Sequence, residues 1–248
     1  MNIGFAGRCL ALVACLPLFA LPAFADDADI SKVNGSIRVT AGQQAGDVET
    51  VNGSIHIEAD ASVADVSTVN GSIEVAERVK MASVETVNGG IDLADGVHAE
   101  SVESVNGHIH ISPGSRITSE LHTVNGAIQL GKDAEVGGKI TTVNGTMTLQ
   151  GARVRGGLET VNGNITVGAG SRVAGGILVE KGSFGLFNSF KRKPRIVIGP
   201  AAVVTGKLKF EREVNLYVSD SAKIGPVEGA KAIRFTGDDP DSGQLVEK

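Results

Sequence analysis

Glu85 and Glu103 stand one repeat apart in the chain, and two carboxylates held close together are the minimal equipment for hydrolysing a glycosidic bond. That chemistry needs surroundings that keep one carboxyl protonated and the other ionised. Both glutamates fall instead in a regular polar column with Glu49, Ser67, His122, Thr141 and Glu159, and such a row is expected to be a solvated face. A second column runs Arg38, His56, Glu74, Asp92, His110, Gln129, Thr148 and Thr166. His108, His110 and His122 are the candidate metal ligands, because imidazole suits several divalent transition metals. His108 and His110 flank Ile109, so both point away from the core and meet His122 only if a corner folds them together. Unliganded surface histidines are the plainer expectation. Cys9 and Cys15 are the only two cysteines, and both lie in an apolar leader, so the chain beyond it has no thiol nucleophile or thiolate metal site. Sugar stacking favours exposed Trp or Tyr, and the sequence has no Trp and only Tyr217. No catalytic residue, metal or cofactor is expected.

The segment Gly182 to Arg195 breaks every other pattern in the chain. Phe184, Phe187 and Phe190 recur at a spacing of three and run into Lys191, Arg192, Lys193 and Arg195. Apolar residues beside a basic cluster can lie on a membrane surface or grip an anionic envelope polymer. The alternative is a loop whose phenylalanines plug a gap between two stretches of the fold.

The elements that must position these residues are set by a repeat. Val-Asn-Gly occurs eight times, at Asn34, Asn52, Asn70, Asn88, Asn106, Asn125, Asn144 and Asn162, with an interval that changes by no more than one position. One Asn-Gly in every repeat and many β-branched side chains oppose a helix. Ile55-His56-Ile57 and Ile109-His110-Ile111 alternate as half-buried strands do. The expected fold is all-β: a single-stranded parallel β-helix, or β-solenoid, of about 18–19 residues per coil. Val48, Val51, Ile55, Ile57 and Val63, with their equivalents one repeat on, are assigned inward. Asn-Gly is placed at a corner where a positive φ is tolerated. Stacking then lines the eight asparagines into a hydrogen-bonded ladder.

Residues 1–25 read as a signal peptide: Arg8 is followed by an apolar run to Phe24, and Ala23-Phe24-Ala25 supplies a cleavage site before Asp26. Leu12-Val13-Ala14-Cys15 also fits a lipobox, although the apolar run before Cys15 is short and the stretch after it is not polar. Export to the periplasm, cell surface or medium is the expected location. Residues 26–184 form the repeat solenoid, 185–195 the Phe-rich basic insertion, 196–236 further coils and 237–248 an acidic disordered tail. The formal charge of -5 argues against nucleic acid as a partner.

The recurring Thr-Val-Asn-Gly-Ser-Ile, as at Thr50 to Ile55 and Thr68 to Ile73, resembles the repeats of bacterial putative adhesins with β-solenoid folds. Ile196 to Leu208 is similar to the bactofilins, polymer-forming solenoids. These resemblances imply solenoid geometry and self-assembly and bring no catalytic residues. Together with the bare start at Asp26, they lead to the expectation of an exported, non-enzymatic structural or adhesin-like protein. It would bind envelope or surface polymers and stack end to end as a homo-oligomer or filament. A polysaccharide-active β-helix enzyme is the alternative.

Overall fold

The computed structural model describes residues 28–182, 192–241 and 245–246. The proposed leader, with Cys9 and Cys15, lies outside the described residues, as do Phe184, Phe187, Phe190 and Lys191. The described chain is all-β and winds as a solenoid whose successive turns lay strand upon strand in three sheets. The first sheet has 11 strands, from Ile30–Asn34 to Val227–Glu228. The second has 12, from Ile37–Val39 to Leu245–Val246, and the third has 7, from His98–Ala99 to Lys223–Ile224. Isolated bridges through Gln44, Ser62 and Lys80 extend the third sheet toward the start of the chain.

Parallel, in-register pairing places like residues over like. Ile37, Ile55, Ile73, Ile91, Ile109 and Ile128 stack in one column of the second sheet, all essentially buried. Burying each such side chain contributes roughly 1.5–3 kcal/mol. Branching at Cβ suits a pleated strand, and the near-constant period keeps each isoleucine above the last.

The first sheet corrects one inward assignment. Val51, Val69, Val87 and Val105 are 39–41% exposed, whereas Thr50, Thr68, Thr86 and Ser104 are buried. Side chains alternate along a strand, so with Val48 inward, Glu49 is out, Thr50 in and Val51 out. Offset parity decides the side here, against hydrophobicity. The inward hydroxyls have a use: Thr50, Thr68 and Thr86 donate to the carbonyls of Gly35, Gly53 and Gly71 one coil back, at 3.0–3.2 Å. Thr142 occupies the same column, but its buried hydroxyl has no partner among the described residues. Thr142→Val should therefore be neutral or stabilise by up to about 1 kcal/mol, while Thr68→Val should cost about 1 kcal/mol. Paired urea titrations check this, and equal effects at the two sites would contradict it.

The corner chemistry also differs from expectation. Among the described repeat Asn-Gly corners only Gly35 has a positive φ, 107°. The left-handed position is at the turn between second and third sheets, where Gly42, Asp60, Arg78, Gly96, Gly114 and Asp133 have φ of 58–69°. Glycine follows Asn for a different reason: a Cβ on Gly71, Gly89 or Gly107 would overlap the carbonyl of the preceding coil's glycine. The coils are stacked backbone on backbone there.

Length changes fall at corners. The offset between stacked partners grows by one between the third and first sheets, His98 pairing with Arg116 but Val102 with Leu121. Ile165 pairs with Ile196 and Ile177 with Leu208, so the added residues of this repeat fall between the strands Gly176–Val179 and Arg195–Ile198, and the same three-sheet winding is present on both sides of them. In the acidic tail one short strand departs from the disorder expected there. Leu245–Val246 pairs antiparallel with Ala232–Phe235 and is the last strand of the second sheet among the described residues.

Candidate functional site

The asparagine column is the most regular polar feature of the surface. Asn52 donates its side-chain N–H to Asn34 Oδ1, and the pattern repeats through Asn70, Asn88, Asn106, Asn125, Asn144 and Asn162, each bond 2.9–3.1 Å long. All seven bonds point the same way, so the ladder has direction and leaves an acceptor open at Asn162. Arg212, two coils further on, fills that position: its guanidinium donates to Asn162 Oδ1 and, at 3.1 Å, to the Val161 carbonyl. Lys181 is in the intervening position, and no sequence pattern marks a cap that comes from one coil beyond it.

Beside the ladder runs the exposed valine column, and beyond that the carboxylates. Glu85 and Glu103 are in register on adjacent strands, with Val69, Val87 and Val105 forming one side of an open furrow of about 470 Å³. Both glutamates are exposed and neither has an ion pair among the described residues. Past Val161 the valine column gives way to Glu180 and Glu211, which directly follow the paired Val179 and Phe210. Desolvation, then a hydrogen bond shared with Glu159, pushes the Glu180 carboxyl above its ordinary range. Lys209 and the Lys181 N–H hold Glu211 below it.

The histidines do not converge. His108 Nε2 lies 3.2 Å from both Asp92 oxygens, and its ring sits where a side chain on Gly90 would have been. His110 is stacked between Asp92 and Gln129 in the second sheet. His122 is in the first sheet between Glu103 and Thr141. Among the described residues no group of three or more His, Cys, Asp or Glu is placed to hold a metal ion.

The basic side chains after the insertion are divided. Lys193 pairs with Glu213 at 2.8 Å. Arg195 reaches Asp241 at 2.8 Å and Asp239 at 3.8 Å, with its guanidinium 5.1 Å from the Tyr217 ring centre. Arg192 is exposed. The acidic tail thus binds part of the cluster that sequence alone presents as free.

The third sheet carries a basic row that sequence reasoning missed. Lys80, His98, Arg116, Glu135, Arg153 and Arg172 form one outward column. Glu135 accepts from Arg116 and Arg153 at 2.9 and 3.3 Å, and Arg153 also meets Asp133 at 3.1 Å. Arg172 and Arg155 have no carboxylate partner among the described residues. They border an open depression of about 400 Å³, lined also by Ala174, Val203 and Thr205. The signal was present as Arg-Val-Arg at 153–155 and Arg-Val at 172–173, one repeat on.

By its fold the chain is a parallel β-solenoid whose outward columns are its candidate contact surfaces. No family model, no curated protein and no solved structure matches it.

Proposed function

We propose that this protein is an exported, non-enzymatic structural protein of adhesin-like kind, which lays one long face along a linear polymer of the cell envelope or surface. The observation that carries the reading is the unbroken ladder: eight asparagines joined by seven bonds, flanked by the valine column. At about 4.8 Å per coil the ladder presents identical groups over roughly 34 Å. A periodic, shallow surface suits a periodic partner, because each repeat adds a weak contact and the sum gives avidity. Export rests on the leader, and the adhesin-like role on the resemblance of the Val-Asn-Gly-Ser-Ile repeats.

The test is co-sedimentation of the purified protein with isolated envelope polysaccharides. Binding should be lost in a Val69→Lys, Val87→Lys, Val105→Lys triple variant that keeps its β-sheet circular dichroism. Retained binding by the triple variant would remove this face from the function. The in-register Glu85 and Glu103, about 4.8 Å apart at the backbone, favour one other reading, a polysaccharide-cleaving enzyme. New reducing ends in the same incubations, abolished by Glu103→Gln, would replace the structural reading with that one.

A further inference from the structure

Two like-charge stacks of opposite sign lie on different sides of the solenoid. On the first sheet Glu85 is in register with Glu103. On the third, Arg153 is in register with Arg172, and Arg155 is close by; Arg153 is paired with Asp133 and Glu135, which leaves Arg155 and Arg172 as the unanswered charges. Strands about 4.8 Å apart hold each pair in contact range, and like charges directly opposite each other are destabilising. Elsewhere the molecule answers its charges locally: Arg78 with Asp60 and Glu77, Lys139 with Glu159, Arg38 with Glu58. Glu85, Glu103, Arg155 and Arg172 are exposed and have no such partner among the described residues.

We infer that these faces bind each other between copies of the chain, the Glu85 and Glu103 column of one molecule docking along Arg155 and Arg172 of the next. The signs are complementary. The pitch is comparable too, because Glu85 and Glu103 stand on adjacent coils, and Arg172 stands one coil on from the Arg153-Val154-Arg155 run, diagonal to Arg155. The shapes also fit: Val87 and Val105 stand beside the glutamates, and the depression beside the arginines is lined by the small Ala174 and Thr205, with Glu135 also on its lining but already paired with Arg116 and Arg153. The two patches differ in position by roughly four coils, on the order of 18 Å along the axis, so neighbours are staggered. A contact between two different patches does not close on itself by symmetry and can continue from molecule to molecule. The inference goes beyond polymer binding and does not rest on it, but both use the furrow beside Val87 and Val105, so a docked copy and a polymer compete for that face.

Sedimentation velocity of the full chain over a range of concentrations tests it. In low salt the average mass should rise with concentration, and high salt should return the monomer, as exposed ion pairs are screened. Arg155→Glu with Arg172→Glu should abolish association, and so should Glu85→Arg with Glu103→Arg. Each variant then offers two faces of one sign, so an equimolar mixture of the two should associate again. Unchanged circular dichroism and thermal unfolding show that both variants fold. A wild-type chain that stays monomeric in low salt overturns the inference, as does a mixture that fails to regain association. A monomeric wild type that binds dextran sulfate through Arg155 and Arg172 also overturns it, assigning the arginines to an anionic polymer instead.

Discussion

Gly107→Ala should cost about 3 kcal/mol of unfolding free energy, in the upper range for overpacking. A Cβ at Gly107 would fall on the carbonyl of Gly89. That oxygen already accepts the Ser104 hydroxyl at 3.3 Å, and the Gly107 N–H donates to the Asn125 carbonyl at 3.1 Å. The clash is with backbone, so no rotamer change relieves it. Moving the coils apart would stretch the Asn106 to Asn88 bond and open the neighbouring rungs. Gly42→Ala is the control: its φ is 68° and a Cβ there meets nothing within 4 Å, so only the left-handed conformation is strained, by roughly 1–2 kcal/mol. Denaturant titration of both variants separates crowding from conformation. A Gly107→Ala variant no less stable than Gly42→Ala would show that the corner can spread.

The period, the strand positions and the asparagine ladder were legible because stacking in register turns a sequence repeat directly into a spatial column. Isoleucines at fixed offsets in each repeat became the core of the second sheet, and the asparagines met one another as their spacing required. Hydrophobicity misassigns the outward valines because the repeat carries two apolar residues of opposite parity, Val48 and Val51, and between them a threonine that goes inward. Apolar character favours burying both valines, while the alternation of the strand permits only one. The glycine was identified with its corner, but its cause lies in the coil beneath, which no local rule reports. The left-handed turn escaped notice because Gly42, Asp60, Arg78 and Asp133 share a conformation without sharing a residue type.

The candidate surfaces were legible in part, for the same reason. A column is visible in sequence wherever its members keep a fixed distance from a recognisable motif, so the Glu49 to Glu159 row, which stands at one constant distance before each repeat asparagine, follows from the repeat alone. The arginine row lies on another sheet away from Val-Asn-Gly, its distance from the preceding repeat asparagine changes at Arg153, and Glu135 interrupts it, so no motif marks its members. Pairing across long gaps was out of reach: the Arg212 cap on Asn162 joins positions far apart in the chain, and the partners of Arg195 come from the tail.

Ile109→Ala should remove about 2–5 kcal/mol, and its consequence should depend on where in the rod it lies. Ile109 is fully buried between Ile91 and Ile128, so truncation leaves a cavity facing two coils. In a solenoid each coil touches only its neighbours, and stability is close to a sum of coil and interface terms. A defect in the middle weakens two adjacent interfaces and lets the coils before it unfold apart from those after it. Among the described residues Ile37 is paired on one side only, with Ile55, so Ile37→Ala should weaken one interface and fray that end of the solenoid. Hydrogen exchange read by mass spectrometry should show faster exchange centred on the strands around Ile91 and Ile128 in the first variant, and around Ile37 alone in the second. Uniformly faster exchange along the whole chain in Ile109→Ala would mean that the solenoid unfolds as one unit. The ladder and the aliphatic columns would then couple coils well beyond nearest neighbours, and a contact on one face would be felt along the full length of the rod.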